Sequence, residues 1–321
     1  MSISREELRD SARKGLGSEG LMPDPAQSWN RLAEMGWFAL ALPEEEGGLG
    51  LGAEALAAVQ IELGRALVPG AAIAQMAAIG LLVAAPDFPG CADLIAGAVA
   101  GERIALSLEA HVAGSRACVV DADLAAQMLV VSPESVALAP ITAATHRPTW
   151  DTSRRLFDVA TGDETVIATG ADAARLHKLA QATVLLALAA DSVGAAEAAL
   201  EMSVEYLKTR RQFDRPLALF QALKHRVADM RIAVSAAEAL LWSRAGEGAA
   251  LTELATLKAV ACAAFGHVAE EAVQLHGGIG LTVEHPCHLF LKRAFLNAAL
   301  CGDADHWNFV AGRAALEAAT A

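Results

Sequence analysis

Seven basic side chains fall within nineteen positions of a chain whose formal net charge is −13: Lys208, Arg210, Arg211, Arg215, Lys224, His225 and Arg226. The chemistry such a cluster offers is anion recognition through charge-assisted hydrogen bonds. Gln212, Phe213, Phe220 and Gln221 interleave planar amides and aromatic rings with these cations. Downstream, in "QLHGGIG", Gln274, Gly277 and Gly278 can present backbone N–H groups to a phosphate with no Cβ in the way. Arginines beside a glycine turn make a cradle for a pyrophosphate. The plainer reading is a set of cations at a helix C-terminus, offsetting the macrodipole for about 0.3–1 kcal/mol.

Other reactive side chains are weaker candidates. His285, Cys287 and His288 are close in sequence, but H-x-x-H does not put two rings well on one helix face and no carboxylate pair completes a tetrahedron, so no metal is expected. Asp191 interrupts an apolar run, and a buried carboxylate finds a partner more often than it serves as a base. Cys91, Cys118, Cys262, Cys287 and Cys301 show no C-x-x-C spacing, and no signal-peptide pattern precedes them; reduced thiols in a cytoplasmic protein are the expectation. The acidic balance argues against nucleic-acid binding. The apolar runs around Gln75 and Asp191 fall short of about 18 uninterrupted apolar residues, so no membrane span is expected.

The elements that must position these residues follow a distinct order. Ser4 and Glu7 form a capping-box pattern, Pro25 sits just inside a second helix start, and Pro69, Gly70 and Pro86 stop two further helices. From about residue 102 the segments become short and rich in apolar or β-branched residues: "ERIALSLE", "ACVVDAD", "AAQMLVV", "SVALAPI" and "RLFDVAT", with a hairpin loop at "SPES". After Ala171 long periodic helices return, and short loops between them imply a four-helix bundle. Arg210 and Arg211 end the first of these helices in this reading, and Pro216 opens the next. The fold class is therefore mostly α with a small β domain. The expected divisions are an N-terminal helical domain at 1–101, a reduced β domain at 102–169 and a four-helix domain at 170–321. No βαβ alternation is present, and "GGIG" follows a helix rather than a strand, so a Rossmann fingerprint is not expected.

The stretch "TRRQFDRPLALFQALKHRVADM" resembles the acyl-CoA dehydrogenase signature R-x-Q-F-G-x-P-x-x-x-F-Q followed by A-D-M. "QLHGGIGLTVEHP" resembles that family's Q-x-x-G-G-x-G-x-x-x-E-x-P, and "LAEMGWFALALPEEEGGLGLG" with "ELGRALVPG" resembles its N-terminal domain. The resemblance covers nearly the whole chain in order. It implies a helical, β and four-helix architecture, with FAD bound across a subunit interface. Arg210, Phe213 and Gln221 fall on FAD-contacting positions, and Gln274, Gly277 and Gly278 fall on the pyrophosphate loop, reaching the ADP half of a flavin held mainly by the neighbouring subunit. Asp214 departs from the family's Gly.

The resemblance also locates what is missing. Family members take the α-proton of an acyl-CoA thioester with a Glu at one of two places, while the flavin takes the β-hydride. Here the first place reads Cys301 in "LCGDAD", the second falls near Val184, and the neighbouring family arginine falls near Leu185. Cys301 and Asp303 are weak substitutes: a thiol is mostly protonated without a nearby cation, and Asp303 suits a helix N-cap. The flavin-facing strands are reduced to a trace around "LEAHVAGS". The expected function is thus a subunit of an acyl-CoA dehydrogenase acting on fatty or steroid side-chain acyl-CoA, catalytically weak or silent, that completes the FAD site of a homologous chain. Two alternatives stay open: a self-sufficient homo-oligomer with a relocated base, and a flavin-free CoA-ester scaffold.

Overall fold

The computed structural model describes residues 4–16, 20–40, 42–46, 48–108, 116–246 and 248–320. Helix α1 (Arg5–Leu16) opens on the reciprocal capping box: the Ser4 N–H donates to Glu7 Oε2 at 2.8 Å and the Glu7 N–H to Ser4 Oγ at 3.2 Å. Asp24 caps α2 (Pro25–Glu34) by accepting from the N–H groups of Ala26 and Gln27, with Pro25 where its missing N–H has no partner to lose. Helices α3 (Gly52–Arg65), α4 (Ala72–Ala84) and α5 (Cys91–Val99) complete the leading part; α5 was not anticipated from sequence.

Strands β1 (Ile104–Ser107), β2 (Arg116–Val120), β3 (Gln127–Val131), β4 (Ser135–Arg147), β5 (Leu156–Thr161) and β6 (Thr165–Thr169) form a single sheet in the order β1-β3-β4-β5-β2, with β6 also on β4. β1 and β3 run parallel, while the other pairs are antiparallel. β4 is the spine. Its first half pairs with β3 (Leu129 opposite Leu138) and with β6, and its second half pairs with β5 (Ala144 opposite Val159). This ladder carries β4 to Arg147, well past the "SVALAPI" that the sequence pattern delimits. Segment 109–115, where the resemblance to flavin-facing strands thins, lies outside the described residues.

Helix α6 (Gly170–Thr209) has 40 residues, and every one from Val184 to Ala196 is buried. It is covered by α3 on one side and by α8 (Leu251–His276) on another. A helix so enclosed is apolar all round and not amphipathic. Two glycines set the α3–α6 crossing: a Cβ on Gly64 would strike the Asp191 carbonyl, and one on Gly194 would strike that of Ile61. Helices α7 (Gln221–Arg244) and α9 (Cys287–Ala299) complete the bundle around Met230, Phe265 and Phe290, and α10 (Ala304–Thr320) packs on α8. The class is mostly helical with a small sheet between two helical parts, as the sequence order implied. By length and composition α6 and the segment containing α8 are apolar enough to cross a membrane, but most of the apolar stretch of α6 is spent inside this bundle.

Candidate functional site

The basic cluster is built differently from the sequence expectation. Arg210 and Arg211 do not lie in α6, which ends at Thr209, and Pro216 opens only the short 3-10 turn Leu217–Leu219, not the next long helix. Instead β7 (Arg211–Gln212) and β8 (Arg215–Pro216) form a small hairpin, and α7 starts only at Gln221. Phe213 and Asp214 make its two-residue tip with φ of 52° and 61°. A tight hairpin of this kind asks for positive φ at both tip positions. Asp, which tolerates that region, therefore occupies the family's Gly position for a backbone reason. The hairpin base is closed by the Leu217 N–H donating to the Arg210 carbonyl at 2.9 Å. Arg210, Phe213 and Gln221 are all solvent-exposed.

The glycine turn sits next to this hairpin. Tyr206, one helical turn before Arg210, donates its hydroxyl to the His276 carbonyl at 3.3 Å and stacks on the His276 ring at 4.3 Å. His276 ends α8 immediately before Gly277, so this contact pins the two helix ends together. The His276 Nδ1 lies 2.7 Å from the Ala272 carbonyl, so Nδ1 carries the proton. Burial lowers the ring's pKa and keeps it neutral. Gly277 adopts φ 66° and ψ −146°, a region open essentially to glycine alone. Gln274, Gly277 and Gly278 are exposed, and open space surrounds the position a Cβ would take at either glycine. His285 packs against His276, and Cys287 is fully buried with its thiol pushed up to about 12 by desolvation.

A separate cleft lies where α4, the sheet and α6 meet. Its walls include Ile73, Ala74, Leu106, Leu188 and Leu300, and its volume is about 90 Å³. Val184 and Cys301 both line it, although they are far apart in sequence. Among the described residues no carboxylate lines this cleft. Cys301 holds a left-handed backbone, φ 56°, fixed by its neighbours: the Trp307 indole donates to its carbonyl at 2.8 Å, and Lys258 donates to the carbonyls of Ala298 and Gly302 at 2.7 and 2.6 Å. Asp303 is exposed, accepts from the His306 N–H at 2.8 Å at the start of α10 and does not line the cleft.

Beneath the cleft is a buried ionic cluster. Asp191 accepts from Arg154 Nη2 at 2.7 Å, Asn297 Nδ2 at 2.8 Å, Gln60 Nε2 at 3.0 Å and Arg293 Nη1 at 3.3 Å. Arg293, wholly buried, also donates Nε to Asp151 at 2.9 Å. The cluster thus joins α3, the loop before β5, α6 and α9. Burial alone would raise the Asp191 pKa; the two guanidinium groups, with Asn297 and Gln60, bring it below the ordinary value. Asp191 is therefore a partnered structural anion.

Two family models match the chain: the acyl-CoA dehydrogenase N-terminal domain over residues 3–86 and the C-terminal domain over residues 185–311. The acyl-CoA dehydrogenase IpdE2 of Mycobacterium tuberculosis is 38% identical over 277 residues, covering 85% of this chain and 81% of that protein. The chain belongs to the acyl-CoA dehydrogenase family. Among solved structures, the Tcur3481-Tcur3483 steroid ACAD variant superposes with a TM-score of 0.87 at 25% identity, covering 99% of both chains. The ChsE4-ChsE5 complex from Mycobacterium tuberculosis gives 0.88 at 24% identity over 99% of this chain and 98% of that one, a likeness of fold.

Membership in the acyl-CoA dehydrogenases implies FAD, and the two ends of that cofactor meet different prospects here. At the pyrophosphate end the residues fit, because the exposed Gly277–Gly278 turn and exposed Arg210 offer donors on open surface. At the ring end they do not. A cleft of about 90 Å³ is smaller than the ~150 Å³ cavity that takes one benzene ring, and a flavin has three fused rings. Sequence reasoning missed the Tyr206–His276 clasp and most of the ionic cluster. Arg293 within the apolar "LFLKRAFLNAAL" was the available signal, since a charge in such a run must find a partner.

Proposed function

We propose that this chain is a catalytically silent acyl-CoA dehydrogenase subunit that completes the FAD site of a homologous chain. The observation that carries the reading is the pairing of Val184 and Cys301 on one cleft wall that bears no carboxylate among the described residues, at the two positions where the resemblance puts the proton-abstracting Glu. A thioester α-proton needs a base within hydrogen-bond reach, and neither side chain is a carboxylate. The cleft volume argues the same way. When bound in the companion, the flavin supplies hydride acceptance. The contribution of this chain is the donor set of Arg210, Gln274, Gly277 and Gly278 toward the anionic end, with Phe213 and Gln221 beside it.

Exposure supports this division of labour. Phe213 is 83% exposed while its left-handed backbone costs about 1–2 kcal/mol, and the isolated fold gains little packing in return. A companion seated on the hairpin gives that ring a contact. That the Tcur3481-Tcur3483 and ChsE4-ChsE5 proteins are each named as pairs is in keeping with a heteromer. The test is the visible spectrum. Chain purified alone should be colourless, and co-expression with a longer homologous acyl-CoA dehydrogenase should give yellow protein. Arg210→Ala should then lower flavin content in the assembled complex at least tenfold; unchanged content removes the cradle assignment.

One observation favours a second reading, a self-sufficient enzyme: Cys301 does face the cleft, on a rigidly held backbone. On that reading the chain alone is yellow and bleaches with an acyl-CoA, and Cys301→Ala abolishes turnover. On the first, Cys301→Ala leaves turnover of the complex within twofold.

A further inference from the structure

A larger cavity lies on the far side of α6 from the cleft. Leu42, Leu56, Val83, Leu179, Leu186 and Leu254 wall it, so that α3, α4, α6 and α8 meet there with the loop between α7 and α8. None of the cleft residues lines it. Leu186 stands roughly 200° around α6 from Val184 at 3.6 residues per turn. The cavity volume is about 390 Å³, inside the range of about 300–1,000 Å³ typical of small-molecule sites. Gly80, on its wall, argues that the space is built in. It lies in the interior of α4, where glycine is the least favoured residue after proline. Its helical backbone does not call for glycine, and a Cβ there would meet nothing within 4 Å. No neighbour forbids a side chain at position 80; what a side chain would occupy is the cavity.

The few polar groups on this wall decide the class of ligand. Thr183 spends its hydroxyl proton on the Leu179 carbonyl at 3.0 Å. Arg244 is the one charged residue on the wall among the described residues. Its Nη1 lies 2.8 Å from Glu253 Oε1, its one ion pair among the described residues. Glu253 is held in turn by the Ala250 N–H, which donates to its Oε2 at 2.9 Å. A guanidinium carries five N–H donors and no acceptor, and it can serve several carboxylates at once. Arg9 of this chain does so, donating to Glu62, Glu238 and Glu197 at 2.7, 3.0 and 3.1 Å. The Arg244 side chain is 40% exposed, so a carboxylate meeting it stays hydrated and avoids the cost of a buried charge. An aliphatic chain entering the cavity leaves water for apolar walls. We propose that this cavity binds an aliphatic carboxylate, with its chain among the leucines and its head on Arg244 at the mouth. The site is separate from the cleft and from the surface offered to a companion's flavin, and it does not rest on the partner-subunit reading.

Octanoate, octan-1-ol, octylammonium and butanoate test it on the full chain by NMR titration, with Tm as a second readout. Octanoate should bind and raise Tm, since a ligand of the folded state alone stabilises that state. It should bind at least about threefold tighter than octan-1-ol, the scale of an exposed ion pair. It should bind at least about tenfold tighter than butanoate, which buries four fewer methylenes. Octylammonium should bind more weakly than the alcohol. Arg244→Gln should bring octanoate down to the alcohol's affinity. Gly80→Leu, which fills the cavity from an open position, should weaken octanoate and octan-1-ol at least about tenfold; Leu179→Gln, on α6, is a second variant that should weaken both. Circular dichroism confirms that each variant is folded. Leu188→Phe, which fills the cleft instead, should leave octanoate affinity within about twofold, as expected of a separate site. The proposal is overturned by wild-type chain that takes no octanoate, or by octylammonium binding as tightly as octanoate. Folded Gly80→Leu and Leu179→Gln proteins with unchanged affinity overturn it too, as does loss of binding in Leu188→Phe, which would put the acid in the cleft.

Discussion

Asp191→Asn is the sharpest perturbation of this architecture, because it keeps side-chain shape and removes one charge. The wild-type cluster sums two cations and two anions in a region where Asp191 and Arg293 are 0% exposed and Arg154 and Asp151 are 4% and 5% exposed. The variant leaves one uncompensated buried guanidinium. It also turns an acceptor of N–H groups from Gln60, Arg154, Arg293 and Asn297 into an amide whose NH2 faces some of those donors. Breaking a buried pair on one side costs about 3–5 kcal/mol, against total stabilities of about 5–15 kcal/mol. A fall in Tm of about 6–15 °C follows for a chain of this size.

Urea denaturation followed by tryptophan fluorescence and circular dichroism measures the loss. A cost under about 1 kcal/mol would show that water reaches the cluster and screens it, and the reasoning from burial would be wrong. The charge argument has a second check. Arg154→Gln on the Asp191→Asn background restores neutrality, so the double variant should be less destabilised than the sum of the singles by at least about 1 kcal/mol. The pH dependence carries a definite sign. The Asp191 carboxyl titrates lower in the folded chain than the ordinary value of about 3.9. Its contribution is complete above that ordinary value and is lost as pH falls through the depressed one. The wild type should lose stability below about pH 4 more steeply than Asp191→Asn.

Two further changes test other elements. Gly277→Ala meets no neighbour within 4 Å, so any loss is backbone strain, expected at about 1–3 kcal/mol in denaturant midpoint; no loss means the turn relaxes. Lys258→Met orphans the carbonyls of Ala298 and Gly302 at about 1–3 kcal/mol each, and hydrogen exchange of amides 301–310 should rise more than that of α6.

The fold was legible because its signals are local and agree with one another. The Ser4–Glu7 box, Pro25, the run of short β-rich segments and the proline-free stretch of α6 each state an element without reference to the rest. What stayed hidden is long-range. "RRQFDRP" reads as two helices meeting, because Pro after a basic run suits a helix start. The hairpin Arg211–Pro216 depends on Phe213 and Asp214 both accepting left-handed backbone; Asp tolerates that region, but no propensity of Phe announces it. The cleft was hidden for the same reason: Val184 and Cys301 are 117 positions apart by subtraction of their numbers, and only the fold brings them to one wall.

The distance between that wall and the glycine turn matters for how the molecule can work. None of Arg210, Phe213, Gln221, Gln274, Gly277 or Gly278 contributes to the cleft. A dinucleotide gripped at the hairpin by its anionic end is therefore not handed to this chain's own cleft by any residue that touches both. The two features have different supports as well, the Tyr206–His276 clasp for one and the Asp191 cluster with Lys258 for the other. Loss of either should leave the other intact, and that independence is what a subunit needs if it serves a companion's cofactor with one surface and keeps its own fold with the other.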